Sequence, residues 1–307
     1  MVPAGSDRRG CRNPMLETLT LREGYFEDPN AFRALADLLQ YVFGIDIGLQ
    51  SRFGGPDPSS MPFGYFDATG RCVANFSVFS MPLLIKGRVV KAAGFQSGAV
   101  RPAFRGQGLY RDLMQRAFAW VDKQGFEAGF LLTDKPELYH DYRFRVVPQF
   151  CFCGEVTQTV PADAEAREID LENQDDVTLV LRILADREPV ARQLSVVRQS
   201  EMFLLNAALT PEIRLSYLPG FDAILAWKLR RGTLQMLDIV ARQIPSMSEI
   251  RGALSVPHDR IEVFFPTDRL EWSGSARPYD GSCALMVSGL QPSDIPTPSI
   301  LSPMADF

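Results

Sequence analysis

Apolar positions along this chain recur with two periods, and their alternation predicts a mixed α/β protein. Residues 31–43 place Phe32, Leu35, Leu38, Leu39 and Val42 at the three-and-four spacing of an amphipathic helix. Residues 52–62, rich in Gly, Pro and Ser, predict a loop. Strand-like runs follow at 63–67, at 71–80, and at 86–100 with a turn at Gly87. A second helical stripe spans 109–124 through Leu109, Leu113, Met114, Ala117, Phe118 and Val121, and Gly125 supplies its stop. Residues 130–133 predict a short buried strand. Asp134-Lys135-Pro136-Glu137 then predicts a capped helix start, and 144–153 a further strand interrupted at Pro148.

Residues 157–172 are polar and acidic without apolar periodicity, which places a domain linker there or just before. Beyond it the mixed pattern resumes. Helices are expected at 177–187, 200–209 and 246–254, and strands at 213–218, 222–230, 233–240, 260–265 and 284–287. Residues 291–307 carry Pro292, Pro296, Pro298 and Pro303 and predict an extended tail. Residues 1–14 predict a disordered one, with Met15 a candidate start. At 307 residues the chain is long enough for two compact units. The expected division is 15–153, 154–290 and the tail.

Composition narrows the function. A hydrophobic fraction of 46% against 22% charged is globular, and a net charge of −5 argues against a nucleic-acid partner, whose phosphates demand clustered Lys and Arg. No apolar run reaches the length of a membrane span. Five cysteines, Cys11, Cys72, Cys151, Cys153 and Cys283, read as free thiols in a reducing cytoplasm. With only His140 and His258 available, a His-rich metal site is excluded, no metal is expected, and a Ser-His-Asp triad has few places to form.

The chemistry concentrates in 98–114. There a strand end runs into Arg105-Gly106-Gln107-Gly108 and directly into the helix at Leu109. Bare backbone N–H groups and the positive end of a helix suit a diphosphate, with Arg105 and Arg111 adding charge. The nucleotide loop that ends in Lys-Ser/Thr is absent, since Leu109-Tyr110 follows the last glycine. The dinucleotide fingerprint fails at Arg111.

Val100-Arg101-Pro102, then Phe104-Arg105-Gly106-Gln107-Gly108-Leu109-Tyr110, resembles the acyl-CoA loop of the GNAT superfamily of N-acyltransferases. Leu138-Tyr139-His140-Asp141-Tyr142-Arg143-Phe144-Arg145 resembles the short helix and strand that follow in that family. Ala103 replaces the loop's usual first residue, and Arg143 the later motif's usual glycine. The length and the second mixed unit are similar to tandem-GNAT acetyltransferases of the enhanced-intracellular-survival type, without their sterol-carrier-like domain.

The resemblance implies tandem GNAT-like domains, each a mixed twisted sheet flanked by helices, with the second unit degenerate. It implies acetyl-CoA as donor and a small-molecule or peptide amine as acceptor. The backbone of Ala99 and Val100 would hold the pantetheine and polarise the thioester, Gly98 would be a further cofactor-binding residue, and Arg105, Gly106, Gln107, Gly108, Leu109, Tyr110 and Arg111 would hold the diphosphate. Tyr139 would be the general acid, and the terminal carboxylate of Phe307 a base or a steering group. Homo-oligomerisation is compatible with this reading, no membrane or nucleic-acid partner is expected, and the alternative is a catalytically silent CoA-binding sensor.

Overall fold

The computed structural model describes residues 19–156 and 166–307. The tail expected at 1–14, Met15, Cys11 and the first part of the linker lie outside the described residues. In chain order the first half contains β1 (Thr20–Glu23), α1 (Pro29–Phe43), β2 (Met61–Phe66), β3 (Cys72–Ser80), β4 (Leu83–Ile85), β5 (Arg88–Val90), β6 (Ala92–Val100), α2 (Leu109–Gln124), β7 (Ala128–Thr133), β8 (Arg145–Val146) and β9 (Phe150–Glu155). The second half contains β10 (Arg167–Glu168), α3 (Gln174–Ala185), β11 (Leu194–Val196), α4 (Glu201–Leu209), β12 (Arg214–Leu218), β13 (Ala223–Arg230), β14 (Thr233–Val240), α5 (Met247–Leu254), β15 (Arg260–Val263), β16 (Ser275–Pro278) and β17 (Ala284–Ser288).

Most expected elements are present within a few residues of their expected bounds, and the departures have local causes. The run expected at 86–100 is divided at Lys91 into β5 and β6, and the expected turn at Gly87, with Lys86 also left-handed, joins β5 to β4 in a hairpin. Asp134 caps no helix. Lys135 N–H donates to Thr133 Oγ1 (3.0 Å), and the segment forms two 3-10 turns, Pro136–Leu138 and His140–Tyr142. The real caps lie elsewhere. The Asp28 carboxylate accepts from the N–H groups of Asn30 and Ala31 to start α1, and Ser246 with Glu249 forms a reciprocal capping box on α5.

Two seven-stranded mixed sheets result, in the orders β1-β2-β3-β6-β7-β17-β8 and β10-β12-β13-β14-β15-β9-β16. Each has one parallel pair at its centre, β6 with β7 and β14 with β15. The halves exchange strands: β9 inserts between β15 and β16, while β17 inserts between β7 and β8. The boundary expected near residue 153 therefore falls inside β9, a strand of the second sheet.

Burial ties the halves together further. α2 covers one face of the first sheet with Leu113, Met114, Ala117 and Val121 against Phe63, Phe76 and Phe95. On the other face α1, through Leu35, Leu38 and Leu39, shares a core with Met202 and Leu205 of α4. Each such fully buried aliphatic contributes about 1.5–3 kcal/mol. The Pro-rich tail is fastened between the sheets. Phe150 N–H donates to Ser299 O, Ser302 Oγ donates to Leu237 O, and Asn206 Nδ2 donates to Asp306 O (2.8 Å). Ile300, Leu301, Met304 and Ala305 are buried along it.

Candidate active site

The site is built on β6. Its pairing with β7 runs only from Ala92↔Ala128 to Phe95↔Leu131, after which the two parallel strands separate. From Gln96 to Val100, β6 has no strand partner on that side among the described residues. On its other side the register against β3 slips between Asn75↔Ala99 and Ser77↔Gln96, so Ser97 and Gly98 together oppose Phe76. Ser97 adopts φ 58°, a left-handed value rare outside glycine. This bulge resets the alternation of side chains, so that Ala99 faces the α1 core.

At the end of β6 the chain turns through a 3-10 turn, Pro102–Phe104, into the glycine loop and α2. Gly106 (φ 75°) and Gly108 (φ 82°) are left-handed, and the space where their Cβ atoms would stand is open. Gly108 caps α2 without a side chain, so the first N–H groups of the helix face outward unsatisfied by any cap. A cavity of about 460 Å³ lies here, lined in part by Val100, Arg105, Gly106, Gly108, Tyr110 and Arg111. Arg105 donates from Nε to Val100 O (3.1 Å), which braces the loop against the strand end.

Behind the loop two tyrosines meet, with Tyr110 and Tyr139 hydroxyls 2.6 Å apart. Gly98 makes that approach possible, since a Cβ on it would stand 2.5 Å from the Tyr110 hydroxyl. Burial raises both phenols, and Tyr139 also feels the Asp134 carboxylate. Either hydroxyl can donate in the bond between them, which ties the two phenols into one pair.

The opposite face of the first sheet carries the tail. Phe79 lies opposite Gly94, and the Phe307 ring packs edge-on against Phe79, centroids 5.2 Å apart. One row along, Gln96 pairs with Ser77, which puts both side chains on that same face. Gln96 is half-buried, and its amide has no hydrogen-bond partner among the described residues. Asp306 keeps solvent contact, and loss of hydration at its carboxyl pushes it up to about 7 against the opposing pull of Lys228. Burial raises the Cys283 thiol, and the carboxylates of Asp134 and Asp306 raise it further.

The residues singled out from the sequence thus fall in three places. Val100, Arg105, Gly106, Gly108, Leu109, Tyr110 and Arg111 line the cavity. Gly98 and Ala99 form the bulged strand beside it, while Gln107 turns its amide to Ala103 O (3.3 Å). Tyr139 is buried on Tyr110, and Phe307 lies across the sheet from both helix and loop. Arg143 takes the left-handed turn (φ 65°) itself, so the turn survives the missing glycine. Sequence reasoning missed Gln96, Asn75 and Asp306. For the first two the signal was present: Ser-Gly inside a strand pattern marks a bulge. Cys151 and Cys153 are free thiols, their sulfurs 3.8 Å apart. Among the described residues no group of three or more metal-ligating side chains gathers, and no helix is long and apolar enough to cross a membrane.

No curated protein matches the chain. The acetyltransferase (GNAT) domain model matches residues 28–147. Among solved structures the chain is similar to a probable N-acyltransferase from Enterococcus faecalis V583, with TM-score 0.57 and 14% identity over 88% of this chain and 72% of that one. It is also similar to Eis1 from Mycobacterium abscessus, with TM-score 0.56 and 15% identity over 87% and 72%. A GCN5-related N-acetyltransferase from Kribbella flavida gives TM-score 0.55 and 14% identity over 89% and 71%. At such identities the likeness is one of fold, and it spans both sheets. The chain thus has the fold of these N-acyltransferases, and its residues 28–147 carry the match to the acetyltransferase (GNAT) domain model.

Proposed function

We propose that this protein is an acetyl-CoA-dependent N-acetyltransferase that passes the acetyl group to a primary amine by direct attack. The observation that carries the reading is the parting of β6 from β7 between two features. On one side lies an uncapped helix N-terminus with open glycines, and on the other the Tyr110–Tyr139 hydroxyl pair.

Bound acetyl-CoA supplies a thioester whose carbonyl carbon the amine attacks and whose thiolate leaves. The N–H groups at the start of α2 and the guanidinium groups of Arg105 and Arg111 take the diphosphate, and the room at Gly106 and Gly108 fits it. The unpaired edge of β6 takes the extended arm through backbone hydrogen bonds and polarises the carbonyl. Tyr139, oriented by Tyr110, gives its proton to the departing sulfur. Asp306 of the tail and Asp134 beyond β7 draw the ammonium form of the acceptor, and Asp306, titrating near neutrality, receives its proton. Holding both reactants across one opening supplies much of the rate. The acceptor is a small-molecule or peptide amine.

The test is thiol release from acetyl-CoA in the presence of polyamine, aminoglycoside, amino-acid and peptide amines. The reading expects turnover with at least one class, lost in Tyr139→Phe. It is abandoned if no amine raises thiol release above the rate without protein.

A further inference from the structure

Asn75 sits in the middle of β3, between Ala74 and Phe76, with none of its surface exposed. An amide is unfavourable in a central strand and costly to bury unless all its polar atoms are matched. Here they are matched by one network. Tyr25 donates its hydroxyl to Asn75 Oδ1, while Asn75 Nδ2 donates to Ser77 Oγ (2.9 Å) and to the Ser97 carbonyl (2.9 Å). Burial among apolar groups, together with nearby Cys72, holds the Tyr25 phenol well above its ordinary value, so it remains a donor. A fixed donor at Oδ1 leaves Nδ2 aimed only at the Ser97 side. Ser97 is the left-handed residue of the β6 bulge.

We propose that Asn75, oriented by Tyr25, is the positioning residue of the acyl-donor site: by holding the Ser97 carbonyl it fixes the bulge and turns the Gly98 N–H toward the donor's thioester arm. The step from carbonyl to N–H follows from the peptide unit. It is planar and trans, so the Ser97 C=O and the Gly98 N–H point oppositely. A carbonyl drawn to Asn75 on the β3 flank sends that N–H away from Asn75, toward the flank of β6 that β7 leaves unpaired. No side chain of β6 itself is needed, which accounts for a site strand as bland as Phe-Gln-Ser-Gly-Ala-Val. This assignment rests on the proposed use of acetyl-CoA.

The experiment compares two probes by calorimetric titration: acetyl-CoA, and 3′-phosphoadenosine 5′-diphosphate, which keeps the diphosphate but lacks the arm. The proteins are the wild type, Asn75→Leu and Tyr25→Phe. The expected result is binding of both probes to the wild type. In the variants acetyl-CoA affinity falls about tenfold, one hydrogen bond's worth, while the fragment stays within about twofold. Unchanged acetyl-CoA affinity in both variants overturns the assignment. So does parallel loss of both probes, or failure of both variants to fold, since either marks Asn75 as structural only. A wild type that binds neither probe removes the acetyl-CoA reading itself, and this inference with it.

Discussion

The hydroxyl pair at Tyr110 and Tyr139 allows stability and chemistry to be separated in one set of variants. Their oxygens lie 2.6 Å apart within a core that includes Phe76, Phe95 and Phe144. Removing one hydroxyl leaves the other with its bond unmade in a site poor in water, a cost of about 1–3 kcal/mol. Removing both leaves two phenylalanines among aromatics, and the pair's loss is then about 0.5–1.5 kcal/mol, that of one net hydrogen bond. The double variant Tyr110→Phe/Tyr139→Phe should therefore be no less stable than the worse single variant, a coupling of about 1 kcal/mol in a double-mutant cycle. Catalysis should divide differently. Tyr139→Phe removes the proton donor and should cost about 100-fold or more in kcat, whereas Tyr110→Phe only loosens its aim and should cost about tenfold or less. Urea unfolding and acetyl-CoA turnover, read on the same four proteins, give both cycles. Additive stability losses would refute the buried bond, and equal rate losses in the two single variants would refute the assignment of Tyr139 as donor.

Two further outcomes follow from other residues. Asp306 carries a raised carboxyl pKa, so between about pH 4 and 7 the folded state binds more protons than the unfolded one. Stability should fall as pH rises through that window, while turnover rises as the base is freed. Asp306→Asn should flatten both profiles, checked by melting curves and rate profiles from pH 5 to 9. Arg143 holds a left-handed turn that costs a side-chain-bearing residue about 1–2 kcal/mol, so Arg143→Gly should raise the melting temperature. A lower melting temperature would mean that the Arg143 side chain contributes more than its backbone strain removes.

Periodicity made the helices and most strands of this fold legible, because α1 and α2 each bury one clean stripe. The glycine loop was legible for a related reason: Arg105-Gly106-Gln107-Gly108 before an amphipathic helix has few local alternatives. The exchange of β9 and β17 between sheets was not legible. Pairing partners are chosen by tertiary packing, and Phe150–Glu155 reads alike in either sheet. The place of Asp306 was not legible for another reason. Asp306 is one acid in a Pro-rich tail, and only the bonds to Asn206, Leu237 and Phe150 that fasten that tail bring it beside Lys228 and Cys283. Asp134 was read as a helix cap because its neighbours fit a capping pattern, yet only short 3-10 turns follow, the Lys135 N–H goes to Thr133 instead, and the Asp134 carboxylate acts on Tyr139.

The most direct test of acetyl-CoA use at the β6–α2 opening is a thermal-shift titration with acetyl-CoA on the wild type and on the variant Arg105→Glu/Arg111→Glu. Both residues are exposed at the cavity, so reversing their charge leaves the core untouched. A ligand confined to the folded state adds about 2.7 kcal/mol at a hundred times its dissociation constant. The predicted result is a concentration-dependent rise in the wild-type melting temperature that the variant loses. An unmoved wild type, or an equal rise in both proteins, would contradict it.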